Sequence, residues 1–293
     1  MKFTSPFNLT LVWAELIHGL PSAGVWRLTF LKGGRHVDVS GELLADVVPA
    51  GQWLLLEMNG EEVPRLMTFM PLPVEVRRDD IEQQFSWLAD KQHAILSDIW
   101  GMLAYLPDAA LRRFYLAVLL DDRIMWPFFT GKASNQYHHH HTGGLLEHSH
   151  EVAITASALC MQHQVGPIST SVAFIGGLLH DIGKIHLFYN NTSGNGVAGQ
   201  HESFNFMVLA EPLARLSQEA PKLFEAISSC LSIKIGRQSE AYLPAQMVHI
   251  CDRLSMDVHN WRRAFTEVPA YYWFVNRLMA IRSTNGWTEI SKL

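Results

Sequence analysis

The chain has 293 residues, of which 48% are hydrophobic and 17% are charged, so it is a globular protein rather than a disordered one. It contains no uncharged apolar run long enough for a membrane span, and its N-terminus lacks a signal-peptide pattern. We therefore expect a cytoplasmic protein without a membrane partner. Its three cysteines have no short spacing that would indicate disulfides or a thiolate zinc site. The formal net charge of −5 excludes a surface that coats nucleic acid as a whole, but leaves a local groove open.

Residues 1–72 have the hydrophobic alternation of short β-strands. Asn59-Gly60 is a hairpin signal between the last two of them. Five short strands fit either a small barrel or a sandwich, and periodicity does not choose between these. The predicted strands are Leu9–Trp13, Val25–Phe30, Val37–Ser40, Gln52–Glu57 and Val63–Phe69.

The segment Pro71-Leu72-Pro73 marks the end of the predicted strands. Residues 73–293 have mainly helical periodicity. Trp126-Pro127 is predicted to end one helical region, and residues 130–144 and 190–200 are predicted loops. The expected fold class is α+β, with a small barrel-like β domain followed by an all-α bundle. The predicted helices are Asp79–Leu103, Asp108–Leu120, Leu145–Gln164, Ser169–His180, His201–Ser217, Leu223–Ile235, Pro244–Asn260 and Pro269–Ile281.

Histidine is the unusual feature of the composition, with 15 residues of this type. Among them, His148 and His180 could converge with two carboxylates, Asp181 and Asp252. Neutral imidazole suits transition metals and carboxylates suit harder cations, so this mixed set would leave positions of a divalent ion free for water or substrate. Such an ion acidifies bound water and polarises a phosphoryl oxygen. Spacing alone indicates such a site only weakly, because histidines at helix ends often bond carbonyl groups.

The sequence around these residues adds a family resemblance. The segments Tyr137–Ser149 (YHHHHTGGLLEHS), Gly177–Lys184 (GLLHDIGK) and His249–Ser255 (HICDRLS) follow one another in the chain. This order resembles the HD superfamily of metal-dependent phosphohydrolases, whose signature is H…HD…D on a helical bundle. The resemblance covers residues 127–260. It is strongest to 3′-to-5′ exoribonucleases, in which an OB-like domain precedes the HD domain, and to the HD domains of certain mobile-element relaxases.

The resemblance implies a role for each matching residue. One divalent cation (Mn, Fe, Mg, Co or Ni) would be held by His148, His180, Asp181 and Asp252. A second cation is in doubt, because many relatives have a His-His pair in a later helix where this chain has Ala226–Cys230. The implied catalytic residues are Lys184, His138, His139 and Asp181, and the implied substrate-binding residues are His201 and Lys184.

The function that the resemblance implies is phosphodiester hydrolysis, with a 3′-to-5′ exonuclease acting on single-stranded RNA or DNA as the main hypothesis. Hydrolysis of a nucleotide or cyclic nucleotide is one alternative. A non-catalytic DNA-processing accessory domain, related to those of relaxases, is the other. The aromatic residues of the β domain (Trp13, Trp26 and Trp53) and of Tyr271–Phe274 could stack on bases, but core packing is the favoured interpretation for the latter cluster. His150 and His163 are expected at the surface or at helix ends.

Overall fold

The N-terminal part of the protein is one five-stranded antiparallel sheet with the strand order β3-β2-β1-β4-β5. Its strands are β1 (Leu9–His18), β2 (Val25–Phe30), β3 (His36–Ser40), β4 (Gln52–Met58) and β5 (Leu66–Pro71). The computed structural model describes residues 9–58, 66–133, 141–189, 201–232, 242–266, 268–269, 272, 274–275 and 278–279. All five predicted strands are present, although β1 continues beyond the predicted end at Trp13. The hairpin signal Asn59-Gly60 and the predicted start of the fifth strand, residues 63–65, lie outside the described residues. Pairing of β3 with β5, which would close a barrel, is not formed within the described ranges.

The central strand β1 is buried on both faces of the sheet. Leu11 and Trp13 belong to the main core that continues into the helices, whereas Val12 and Ala14 belong to a smaller core on the opposite face. That smaller core also contains Trp26 and, from the connection between β3 and β4, Leu44 and Val47. Burial on both faces explains why β1 is a nearly continuous apolar run rather than a clean alternation.

The sheet meets the helices through aromatic residues. Trp13 packs edge-on against Trp53 with ring centroids 5.5 Å apart, and Nε1 of Trp53 donates a hydrogen bond of 3.1 Å to the carbonyl of Arg77. The guanidinium of Arg78 lies 5.9 Å from the ring centroid of Trp13. Trp13, Trp26 and Trp53 are all buried, so they pack the core and do not present their faces to nucleic acid. A domain boundary at residue 72 stays a prediction, because one core crosses it.

Helices form most of the remaining chain, which confirms the α+β class. No helix in the described ranges is long and apolar enough to cross a bilayer. The helices are α1 (Arg78–Ser86), α2 (His93–Tyr105), α3 (Ala109–Leu119), α4 (Asp122–Thr130), α5 (Gly144–Gln162), α6 (Pro167–Leu179), α7 (Lys184–Tyr189), α8 (His201–Val208), α9 (Ala210–Glu219), α10 (Pro221–Leu231) and α11 (Leu243–Thr266).

Two helix predictions between residues 79 and 130 are wrong. The predicted helix Asp79–Leu103 is interrupted after α1, and a short 3-10 turn precedes α2. The break lets the buried side chain of Gln84 accept a hydrogen bond from Trp100 and donate one to the carbonyl of Leu119. Pro127, expected to end a helix, lies inside α4. The lost backbone hydrogen bond is offset by an apolar face that includes the buried Phe128.

The predicted last helix, Pro269–Ile281, is also wrong. Phe274–Val275 (β6) pairs in antiparallel fashion with Leu278–Met279 (β7). Aromatic and branched residues favour strands over helices, which explains why helical spacing alone misled the prediction. The expected core packing of this segment fails for two of its aromatic residues, because Tyr272 and Phe274 are exposed.

Close packing of α5 against α6 sets the geometry of the helices that carry the predicted ligands. A Cβ atom on Gly177 of α6 would lie 2.7 Å from the Cα atom of Ala153 on α5, so only glycine permits this approach. Helix α11 packs across both helices, with Val248 and Cys251 in the same core. This arrangement places the start of α5, the end of α6 and the middle of α11 side by side.

Candidate metal centre

The structure brings the four predicted ligands together. His148 lies near the start of α5, His180 and Asp181 follow the last turn of α6, and Asp252 lies on α11. One potential ligand atom from each residue lies within 4.8 Å of all the others. His148, His180 and Asp181 are buried, and the Asp252 side chain is 14% exposed. Residues more than 100 positions apart in the sequence thus form one compact cluster.

The imidazoles face the carboxylates through their Nε2 atoms. Nε2 of His148 lies 3.3 Å from Oδ2 of Asp181 and 3.2 Å from Oδ1 of Asp252, and Nε2 of His180 lies 3.5 Å from each of the same oxygens. Nδ1 of His180 is 2.7 Å from the carbonyl of Gly177, so this nitrogen carries the proton and donates it. The lone pair on Nε2 of His180 then points at two oxygens that cannot donate.

A cation would satisfy this arrangement. Nε2 of His180 is buried and has no hydrogen-bond partner. Buried polar atoms normally have a partner, and a nitrogen lone pair beside two carboxylates is the donor set of a divalent metal. The residues present therefore fit a metal ion held by two imidazole nitrogens and two carboxylate oxygens.

In the absence of a cation, a proton compensates the two carboxylates. Burial lowers the pKa of His148, but its contacts with Asp181 and Asp252 more than offset this, and the pKa is raised to about 9. Burial likewise disfavours the charged form of Asp252, yet the facing imidazole of His148 holds its pKa well below the usual value. The two carboxylates of the centre thus require a compensating positive charge, which either a proton on His148 or a metal ion can supply.

A hydroxyl and a carboxylate lie behind His148. Oγ of Ser255 donates a hydrogen bond of 3.0 Å to Oε2 of Glu151, which leaves the hydroxyl oxygen as an acceptor 3.5 Å from Nδ1 of His148. This contact favours the tautomer in which Nε2 of His148 is the metal donor. The sequence interpretation assigned no role to Glu151. A usable signal was present, because Glu151 and Ser255 each follow a ligand by three residues on its helix and so share its face.

Lys184 lies next to the cluster. Its Nζ atom is 2.5 Å from Oδ2 of Asp181, and its side chain is 17% exposed. His201 is the first residue of α8, and its substrate-binding role stays a prediction. His138 and His139 lie outside the described residues.

Two histidines near the cluster have partners of their own. His150 was expected at the surface, but its Nε2 atom lies 2.9 Å from Oδ2 of the buried Asp98 and joins α5 to α2. Nε2 of His141 lies 3.0 Å from Oε2 of Glu147, whose other oxygen is 2.9 Å from Nζ of Lys91. Both pairs anchor the first turns of α5, on which His148 lies.

The comparison with protein families agrees with this geometry. Residues 145–257 match the family model of the HD domain, and all four ligands lie within that range. No curated protein and no solved structure matches the chain. HD domains are metal-dependent phosphohydrolases, so the match and the cluster together support this class. The exoribonuclease and relaxase branches stay predictions.

Proposed function

We propose that the protein is a metal-dependent phosphodiesterase that removes nucleotides from the 3′ end of single-stranded RNA or DNA. The convergence of His148, His180, Asp181 and Asp252 on one buried point carries this proposal. When bound, a divalent cation supplies Lewis acidity toward water and toward a phosphoryl oxygen.

The chain's own residues have separable tasks in this reaction. Two imidazoles and two carboxylates would hold the cation, and Ser255 and Gly177 orient the imidazoles through their Nδ1 atoms. Lys184, paired with Asp181 but still partly exposed, places a positive charge where the equatorial oxygens of a phosphate would gain negative charge. The cluster lies in a largely buried setting, which strengthens each of these electrostatic interactions relative to water.

A polymeric substrate is supported by the resemblance and by exposed aromatic surface. Tyr272 and Phe274 have exposed fractions of 46% and 58%, so their rings are accessible to bases. Stacking of this kind contributes about 1–3 kcal/mol per base and tolerates any sequence. The buried tryptophans of the sheet offer no such platform, which keeps a small nucleotide as the second candidate substrate.

The test compares three substrates with one metal-loaded enzyme. Single-stranded RNA and DNA of the same sequence, each with a 5′ label, are incubated with Mn²⁺ beside a cyclic mononucleotide. Stepwise shortening of the labelled strands is the expected result, whereas hydrolysis of the cyclic mononucleotide alone would favour the second candidate. A His180→Ala/Asp181→Ala variant should be inactive. His163→Ala, which changes an exposed histidine at the other end of α5, is the matched control and should keep full activity.

Failure to bind Mn²⁺ and to hydrolyse any of these substrates would refute the proposal. Binding of single-stranded DNA that chelator does not affect would then favour the non-catalytic accessory function.

A further inference from the structure

Asn205 on α8 is a fully buried amide that makes three hydrogen bonds to backbone groups. Its Nδ2 atom donates to the carbonyl of His180 at 2.5 Å and to the carbonyl of Leu231 at 2.9 Å. Its Oδ1 atom accepts from the N–H of Gly183 at 2.6 Å. One side chain therefore connects α8 to the turn between α6 and α7 and to the last residue of α10.

The two hydrogen bonds from Asn205 to the turn hold backbone groups on both sides of Asp181. His180 supplies an imidazole and Asp181 a carboxylate, and the groups that Asn205 holds are the carbonyl of His180 and the N–H of Gly183, two residues beyond Asp181. Fixing these groups fixes the direction in which both side chains leave the backbone. An amide alone among residues of this size offers both a donor pair and an acceptor; aspartate keeps only the acceptor, and alanine keeps neither.

We propose that Asn205 is a positioning residue of the metal centre, which holds the His180–Gly183 backbone so that His180 and Asp181 face His148 and Asp252. The inference rests on the proposed function, because the consequence that it predicts is a change in metal affinity. Groups that orient metal ligands typically change affinity by about 10- to 100-fold when removed. Asn205→Ala should therefore weaken Mn²⁺ binding by at least about tenfold.

A buried amide elsewhere in the chain provides the matched control. Gln84 is fully buried and, like Asn205, both accepts and donates hydrogen bonds, but its partners are Trp100 and Leu119, which supply no ligand to the centre. Gln84→Ala should lower the unfolding midpoint without changing the dissociation constant for Mn²⁺. A general loss of stability would affect both variants alike, so the difference between them isolates positioning.

The experiment measures Mn²⁺ binding to the full chain by calorimetry, below the unfolding midpoint of every variant, and amide hydrogen exchange in the metal-free proteins. Weaker binding in Asn205→Ala together with faster exchange of the Gly183 N–H supports the proposal. Binding equal to wild type, or weakened as much by Gln84→Ala, overturns it. Asn205→Asp replaces Asn205→Ala in the binding measurement if the latter does not fold, because it loses the bond to His180. The Gly183 N–H keeps its acceptor in that variant, so weaker Mn²⁺ binding with unchanged exchange is then the supporting result.

The exchange measurement separates the two hypotheses. If the wild type binds no Mn²⁺, the proposed function fails. Faster exchange at Gly183 in the metal-free Asn205→Ala variant, but not in Gln84→Ala, would still support Asn205 as the residue that holds the turn. Unchanged exchange would overturn that role as well.

Discussion

Replacement of Gly177 by alanine tests how tightly the metal centre depends on the packing of α5 against α6. In an ordinary helix this change stabilises by about 1 kcal/mol, because glycine has the lower helix propensity. Here the new Cβ atom would lie 2.7 Å from the Cα of Ala153, whereas ordinary contact begins at 3.4 Å, so the helices would have to separate by about 0.7 Å. Overpacking of this kind costs about 1–3 kcal/mol. We expect a net loss of about 1 kcal/mol, because the overpacking cost exceeds the gain in helix propensity and the obstructing backbone cannot rotate away.

The same displacement should damage the site, because His148 lies on α5 and His180 follows α6. Binding constellations tolerate errors of only about 0.5 Å, so Mn²⁺ affinity should fall by at least about tenfold. Urea unfolding and calorimetric titration measure the two effects. Ala153→Gly should not rescue Gly177→Ala, because the obstructing atoms belong to the main chain. A Gly177→Ala protein that is more stable than wild type and binds Mn²⁺ equally well would refute this reasoning.

Three further changes test separate contacts. Asp252→Asn should abolish the thermal stabilisation by Mn²⁺. In the wild type, a free Mn²⁺ concentration of 100 times Kd stabilises the fold by about 2.7 kcal/mol. If Mn²⁺ raises the unfolding temperature of the variant as much as that of the wild type in scanning calorimetry, Asp252 is not a ligand. Ser255→Ala removes the acceptor near Nδ1 of His148 and should weaken Mn²⁺ binding about tenfold in a calorimetric titration. Asp108→Ala removes the N-terminal cap of α3 and should lower the free energy of unfolding in urea by about 1 kcal/mol. Asp108→Asn keeps an oxygen that can cap the helix, so it should retain most of the wild-type stability.

The fold was predictable where one periodicity extended along a whole element. Alternation located β2, β3 and β4, and helical spacing located α5, α6 and the start of α11 to within about two residues. The interruption between α1 and α2 was not predictable, because the apolar spacing continues across it and only the tertiary contacts of Gln84 reveal why the chain turns. The hairpin β6–β7 was missed because helical spacing was weighted above the strand preference of its aromatic and branched residues.

The candidate site divides in the same way. Its four ligands could be named from the motif order, since adjacent His and Asp residues and a distant Asp resemble a known family. The groups that orient those ligands could not. Asn205 matches no motif position, and its importance comes from carbonyl and amide groups, which a sequence does not display. Ser255 and Glu151 were within reach, because three-residue offsets from the ligands place them on the same helix faces.

The shared core at the sheet–helix junction limits how this protein can be rearranged. Trp13 and Trp53 belong to the same core as Ile99 and Trp100 of α2, and α2 packs against β1. Recombination that exchanged residues 1–72 alone would leave that core open and expose apolar side chains on α2. The strands alone are therefore not a unit that can be transplanted, because any replacement would have to supply matching partners for α2.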